Sequence, residues 1–253
     1  MGKSSLSKSV FKQLSREQEA YWLHEECENH PIRQGEFSFG ELTTVEGMEL
    51  NRAGMLQKWV VFRDSILSSG KTCVTEGCLL HAYDRYFIHS PWDKDEIAAY
   101  YAQVLEVIGE LAPVIVFLYR PDLRASLEKA FVRRGKWWRD LILKRDDQHV
   151  YFKTHAYVDE NSMFEAVAFE QNKMMEIFDG LECLKIKIDT SAERWDEFTN
   201  KVLSQLGAKY VKLEPHPCDD MQQYTGTYRW QKGREGHDWV ISYDEINDCL
   251  YTT

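Results

Sequence analysis

The sequence lacks several features that mark particular classes of protein. It contains no apolar run of about 18 residues, the length of a membrane-spanning helix. Its N-terminus has no apolar segment of the kind found in secretory signal peptides. None of the six cysteines forms a C-x-x-C pair, so they are most simply interpreted as buried small residues in a reducing compartment. We therefore expect a cytoplasmic protein with no membrane partner.

Positive charge is also scarce. The 253 residues include 31 Lys and Arg against 41 Asp and Glu, which gives a formal net charge of −10. A surface that binds the phosphate backbone of nucleic acid needs clustered Lys and Arg. We therefore expect no nucleic-acid partner, although a few arginines can hold a small anion. The apolar content of 43% is sufficient for a sizeable core.

The N-terminus carries only the second half of a phosphate-binding loop. The motif G-x-x-x-x-G-K-[ST] joins a glycine-rich turn to a Lys that binds phosphate and a hydroxyl that holds Mg²⁺. Here Gly2, Lys3, Ser4 and Ser5 are present, and the strand and turn that come first in the motif are not. Residues 4–14 then have helical periodicity, with Leu6, Val10, Phe11 and Leu14 on one face. A phosphate-binding helix and a merely amphipathic N-terminal helix both fit this pattern.

Strand-like runs alternate with helical patterns up to Gly207. The runs at 19–23, 71–75, 113–119 and 184–188 are separated by helical periodicity. The run at 113–119 is apolar on both pleat faces, which is typical of a strand covered by helices on both sides. This alternation predicts an α/β fold with a doubly wound parallel sheet, flanking helices and 113–119 as the central strand. Ligands of such sheets bind beyond the carboxyl ends of the strands.

The pattern changes after Gly207. Short alternating runs at 224–230, 239–243 and 250–251 are separated by turn residues, which predicts antiparallel strands. We therefore expect an α/β domain over residues 1–207 and a partial antiparallel β appendage over residues 208–253.

Charged side chains follow two of the predicted strands. Glu76 comes directly after the run at 71–75, where a carboxylate can lie beside Mg²⁺ or orient an acceptor hydroxyl. Arg124, Arg133 and Arg134 follow the predicted central strand, and arginine suits a mobile lid because guanidinium groups bind phosphoryl oxygens in a bidentate manner. A solvated strand-end carboxylate and a basic helix face are the alternatives.

Taken together, these elements resemble the nucleotide and nucleoside kinases of the P-loop proteins, such as thymidylate kinase, over about 2–207. The resemblance also includes the acidic segment 24–31 and the segment 188–191. It implies that Gly2, Lys3, Ser4 and Ser5 bind phosphate and that Ser4 and Glu76 hold Mg²⁺. It further implies catalytic roles for Lys3, Glu76, Arg124, Arg133 and Arg134, and contact of Asp189, Thr190 and Ser191 with adenine. The segment Tyr224-x-Gly226-x-Tyr228 resembles the opening of small lipocalin-like β domains.

The resemblance implies ATP-dependent phosphoryl transfer to a nucleotide, a nucleoside or another small acceptor, with ATP and Mg²⁺ as cofactors. The incomplete loop implies impaired phosphate binding, because several backbone donors are missing. A noncatalytic binding module that has kept this fold is the alternative. In the kinases that the chain resembles, a further strand lies between 71–76 and 113–119. Without it we expect either an unfilled slot beside 114–118 or direct pairing of the two runs.

Overall fold

The structure is a computed structural model that describes residues 2–25, 27, 30–32, 45–80, 93–143, 151–212, 221–229, 238–244 and 249–252. The fold is mixed α/β. It forms two compact units, Met1–Val211 and Lys212–Thr253, so the division lies four residues after the expected one. Among the described residues, none of the helices is long and apolar enough to span a bilayer.

The first unit alternates helices with short strands, as its sequence pattern predicts. Its helices are α1 (Lys3–Leu14), α2 (Val45–Ser69), α3 (Lys94–Ile108), α4 (Leu123–Leu143), α5 (Tyr151–Thr154), α6 (Glu160–Gly180) and α7 (Trp195–Gln205). Its strands are β1 (Ala20–Leu23), β2 (Thr72–Thr75), β3 (Val114–Tyr119) and β4 (Leu184–Asp189). Gly70 and Gly207 end α2 and α7 with φ of +65° and +71°, a region that favours glycine.

The four strands form two separate parallel pairs. β1 pairs with β2, with Ala20 opposite Thr72 and Leu23 opposite Thr75. β3 pairs with β4, with Val114 opposite Leu184. Within the described residues, β3 has a strand on one edge only, so its expected position as a doubly paired central strand is not observed.

Helices cover both sides of these pairs with apolar side chains. On one side, Leu6, Val10 and Leu14 of α1 pack with α7 and with side chains of all four strands. On the other side, side chains of α2, α3 and α6 pack against β1, β2 and β3. Alternation along β3 serves both layers, with Val116 facing α1 and Phe117 facing the opposite layer. Both pleat faces of β3 are apolar because helices cover both of them, as the sequence pattern predicted.

A cavity of about 550 Å³ separates β2 from β3. Its lining includes residues along the whole of β2, from Thr72 to Thr75, and the β3 residues Val114, Val116 and Leu118. Of the two arrangements expected for a sheet that lacks one strand, the structure has the unfilled slot beside 114–118.

Two helices of the first unit have distinctive local features. α7 begins only at Trp195, because Asp189 Oδ1 accepts hydrogen bonds from the N–H and hydroxyl of Ser191 and holds the chain in a turn after β4. Glu193 has φ of +52°, which is not helical, so α7 can begin only after this residue. The basic segment expected to form a lid is α4, a long helix kinked at Gly135.

The second unit is an antiparallel sheet. Its strands are β5 (Gly226–Arg229), β6 (Asp238–Asp244) and β7 (Cys249–Thr252), in the order β5-β6-β7. The register places Thr227 opposite Val240 and Tyr243 opposite Leu250. These strands agree with the short alternating runs predicted after Gly207.

The core between α1 and α7 yields a prediction about stability. Leu203 is 0% exposed, and we expect Leu203→Ala to lower the free energy of unfolding by about 2–5 kcal/mol because it leaves a cavity. Leu206→Ala, at the end of the same helix and 41% exposed, should cost less than about 1 kcal/mol. Urea denaturation measures both variants, and equal losses would contradict the packing described here.

Candidate functional site

The N-terminus of α1 has properties that favour an anion. The first hydrogen bond of the helix joins Leu6 N–H to Gly2 C=O, so the amides of residues 3–5 have no acceptor within the helix. The first turn contains no acidic side chain. Gly2 has φ of +89°, and a Cβ at this position would lie 1.9 Å from the ring of Trp195, so glycine is required here. Among the described residues, the amides at this helix end therefore have no acceptor, and they lie next to Lys3.

A buried carboxylate lies against this helix end. Glu76 follows β2 directly, and its side chain is only 2% exposed. Its Oε1 accepts a hydrogen bond from Ser4 Oγ at 2.8 Å, and its Oε2 accepts one from Ser7 Oγ at 2.6 Å. His24 Nε2, at the end of β1, lies 3.0 Å from Oε1 and donates if that nitrogen carries the proton. A carboxylate this deeply buried requires such partners.

Ser7 joins the carboxylate to β1. Its hydroxyl accepts a hydrogen bond from Trp22 Nε1 at 3.0 Å while it donates to Glu76. The Trp22 ring packs edge-on against the imidazole of His24, with the centroids 4.9 Å apart. These contacts hold His24 beside the carboxylate. The position of the Glu76 carboxylate is thus fixed by side chains from α1 and from the end of β1, around a residue that directly follows β2.

Lys3 is paired with an acidic residue. Its Nζ lies 3.4 Å from Glu25 Oε2, and the two side chains are 32% and 22% exposed. A partly exposed ion pair of this kind contributes about 0–1 kcal/mol to stability. Lys3 can therefore exchange the Glu25 carboxylate for another anion at little cost. Of the acidic segment 24–31, Glu26, Glu28 and Asn29 lie outside the described residues.

A second polar group follows β3 and β4. The buried Arg120 donates from Nε to Thr190 Oγ1 at 3.2 Å and from a terminal nitrogen to Glu193 Oε1 at 2.7 Å. This guanidinium hydrogen bond lowers the pKa of Glu193 below its ordinary value. Hydrogen bonds from Ser191 likewise lower the pKa of Asp189. Both carboxylates therefore keep their charge at neutral pH.

Two of the three arginines that were expected to form a lid, Arg124 and Arg134, contact side chains of α4 and α6. Arg124 donates to Glu128 and to Asn161, and its guanidinium lies 4.8 Å from the Phe164 ring centroid. Arg134 stacks over Trp138, also at 4.8 Å.

Arg133 is exposed on α4. Its positive charge makes a minor contribution to the lowered pKa of Glu193, for which the hydrogen bond from Arg120 is the main cause.

The structure thus brings together part of the expected site. Lys3, Ser4 and Glu76 lie at one place, although they come from segments about seventy residues apart. Ser5 is exposed on the same helix turn. Asp189, Thr190 and Ser191 form the turn after β4, where Thr190 is fully buried and bonds to Tyr119 C=O.

The site residues predicted from the sequence did not include Ser7 or Arg120, and His24 and Glu25 entered only as members of the acidic segment 24–31. Three of them directly follow or closely follow strands β1 and β3, which was the available signal. Ser7 lies one helical turn after Ser4, so the i, i+3 spacing placed it on the same face.

The arrangement suits hard-cation chemistry in part. A hydroxyl oxygen and a carboxylate oxygen 2.8 Å apart are donors of the kind that Mg²⁺ accepts together with water and phosphate oxygens. Among the described residues, no three His, Cys, Asp or Glu side chains are grouped to hold a metal ion by themselves. The residues therefore fit a cation that a phosphate ligand would help to hold, and they do not form a closed protein cage.

Comparisons with models of protein families, with curated proteins and with solved structures found no match for this chain. The site is therefore interpreted from its own geometry.

The hydrogen bonds to Glu76 yield a second prediction. Ser7→Ala removes a donor from a buried carboxylate and should lower the free energy of unfolding by about 1.5–3 kcal/mol. Ser5→Ala, on the same helix but exposed, is the matched control and should change it by less than about 0.5 kcal/mol. Urea titration at pH 7 measures both, and a loss as small as that of the control would show that Ser7 does not stabilise the carboxylate.

Proposed function

We propose that this chain is a phosphotransferase domain of the P-loop kinase type, which transfers the γ-phosphoryl group of ATP to a nucleotide, a nucleoside or another small acceptor with Mg²⁺ as cofactor. The observation that carries the proposal is the hydrogen bond of Ser4 to Glu76 beside Lys3. It joins the start of a helix with free amides to a carboxylate at the carboxyl end of a strand. Phosphoryl transfer needs this combination of positive groups and oxygen ligands.

A doubly wound sheet is the finer fold that we propose with this function. Support comes from contacts that give both strand pairs one carboxyl edge. α1 begins beside Glu76, at the end of β2, and Gly2 also lies against Trp195, where α7 starts after β4. Ser9 and Thr199 meet further along, and Gln13 bonds to the backbone of Val211 beyond the end of α7, so α1 and α7 run in the same direction.

The residues of this edge have separate roles in the proposed reaction. The amides of residues 3–5 and the Lys3 ammonium group bind phosphoryl oxygens, and Lys3 exchanges Glu25 for them. Ser4 and Glu76 hold the cation, and Ser7 and His24 keep the carboxylate in place. Mg²⁺ bound there would neutralise the charge that develops on the transferred group.

A noncatalytic binding module remains the second candidate, and one observation favours it. Lys3 already has an anionic partner, Glu25, at 3.4 Å. The two candidates differ in turnover, because only the enzyme releases ADP when an acceptor is supplied.

The nucleotide site yields a third prediction. If the incomplete loop reduces affinity to a Kd of about 1 mM, then 10 mM Mg·ATP should stabilise the chain by about 1.4 kcal/mol. Lys3→Ala should remove this stabilisation, because the ammonium group is lost, whereas Lys12→Ala, in the last turn of the same helix, should preserve it. Denaturation with and without Mg·ATP measures the effect, with adenosine as the phosphate-free control.

No stabilisation of the unmodified chain, or equal stabilisation of the Lys3→Ala variant, would contradict the proposed site. Production of ADP in the presence of a mixture of nucleosides and nucleoside monophosphates, followed by ³¹P NMR, separates the enzyme from the binding module.

A further inference from the structure

We infer that Cys78 and His30 form a buried pair that positions Glu76 by holding its main chain. The proposed phosphoryl transfer assigns no role to either side chain. They connect the segment that follows β1 to the segment that follows β2, and these two segments meet at the candidate site. The positioning itself does not depend on phosphoryl transfer, and only the use of Glu76 as a cation ligand rests on the proposed function.

The thiol of Cys78 holds the carbonyl group of Glu76. Cys78 is 6% exposed, and its S–H donates to Glu76 C=O with Sγ 3.3 Å from the oxygen. Gly77, which separates the two residues, has φ of +66°, a region that favours glycine. The chain therefore turns back directly after Glu76 and brings the thiol to the carbonyl oxygen.

His30 binds the same sulfur atom from the segment that follows β1. Its Nε2 lies 3.3 Å from Cys78 Sγ, and its Nδ1 accepts a hydrogen bond from Ile32 N–H at 3.2 Å. Because Nδ1 is an acceptor, the proton of the imidazole is on Nε2, the nitrogen that faces the sulfur. His30 is 1% exposed, so the protein encloses this ring. The imidazole therefore donates to the sulfur.

This tautomer separates two roles that a pair of cysteine and histidine can have. In a nucleophilic pair the imidazole takes the thiol proton, which requires an unprotonated nitrogen facing the sulfur. Here the nitrogen that faces Cys78 already carries a proton, and the thiol proton is used in the bond to Glu76 C=O. The pair is therefore a chain of hydrogen bonds that ends on Glu76, and it is not an activated nucleophile.

Both polar groups of the Glu76 main chain are thus bound. Its N–H donates to Leu23 C=O at 3.2 Å, and its C=O accepts from Cys78. With the main chain held at both groups, the carboxylate meets the hydroxyls of Ser4 and Ser7 at 2.8 and 2.6 Å. A functional group must be held to within about 0.5 Å of its working position, so this support matters to any cation that the carboxylate binds.

A double-mutant cycle tests the positioning without nucleotide. Cys78→Ala releases the Glu76 carbonyl, so the carboxylate should no longer be held firmly against the Ser7 hydroxyl. Ser7→Ala should then lower the free energy of unfolding of the Cys78→Ala chain by less than about half of its effect on the unmodified chain. Urea denaturation of the four chains measures this coupling.

Cys73→Ala is the matched control for this cycle. Cys73 is a thiol on β2, and its side chain hydrogen-bonds to Tyr21. Ser7→Ala should therefore cost the Cys73→Ala chain as much as it costs the unmodified chain. Cys78→Ser keeps a donor at the position of the thiol and should restore most of the coupling.

A titration with Mg·ATP followed by NMR tests what the pair contributes to the proposed function. Cys78→Ala should weaken binding by about tenfold or more, as is usual for residues that orient a metal ligand, and Cys78→Ser by less than about threefold. Leu127→Ala is a control for lost stability, because Leu127 is 8% exposed and belongs to the separate apolar cluster of α4 and α6. It should change the affinity by less than about twofold.

Nitrogen NMR of the unmodified chain supplies a measurement that needs no variant. The imidazole of His30 should carry its proton on Nε2, with Nδ1 unprotonated. If Cys78→Ala does not fold, this spectrum and the Cys78→Ser chain still decide the question.

A proton on Nδ1 of His30, or additive losses for Cys78→Ala and Ser7→Ala, would overturn the inference. In a chain that binds Mg·ATP, equal weakening by Cys78→Ala and Leu127→Ala would also contradict it, because the effect would then follow stability alone. Absence of Mg·ATP binding by the unmodified chain would refute the proposed function instead, and the cycle would still confirm or refute the positioning.

Discussion

The packing of α1 across two strand pairs that do not hydrogen-bond to each other is the interaction on which the rest of the first unit depends. Leu6, Val10 and Leu14 belong to one apolar cluster with side chains of β1, β2, β3 and β4. Parallel sheets are normally continuous and covered on both faces. Here helices cover both faces, but in the described part of the chain the sheet is not continuous. The two strand pairs are therefore joined there by buried side chains and not by backbone hydrogen bonds between them.

The same helix connects the core to the candidate site. Its apolar face lies on the strands, and its first two turns supply Ser4 and Ser7 to the buried carboxylate of Glu76. A carboxylate 2% exposed is tolerated only with such donors. Lys3 and Glu76 also line the gap between β2 and β3. The site and the gap are therefore physically connected through α1.

Local patterns in the sequence predicted much of this fold, and pairing was the part they left undetermined. The periodicity of 4–14 gives α1, and the apolar run at 113–119 gives β3, because a strand covered by helices on both sides must be apolar on both faces. The same run says nothing about how many edges are paired, since backbone groups are identical in every residue. That β3 pairs with β4 along one edge only, within the described residues, is known from the strand register and not from the sequence pattern.

The site shows the same division. Glu76 was predicted from its position after a strand, and Ser4 from its place in the half motif. Ser7 was missed as a site residue because its role depends on Glu76, a partner distant in the sequence. Arg124 and Arg134 were included because they are basic and follow the predicted central strand, and neither property distinguishes a lid from a helix that packs on its own neighbours.

Native-state hydrogen exchange of a Val10→Ala variant tests most directly whether α1 joins the two strand pairs. Val10 is 5% exposed, and its truncation should cost about 1.5–3 kcal/mol. If α1 holds both pairs in one cooperative unit, the opening free energies of Val74 in β2 and Phe117 in β3 should fall by the same amount. A fall at Val74 with no change at Phe117 would contradict this account, because the pairs would then be stabilised independently.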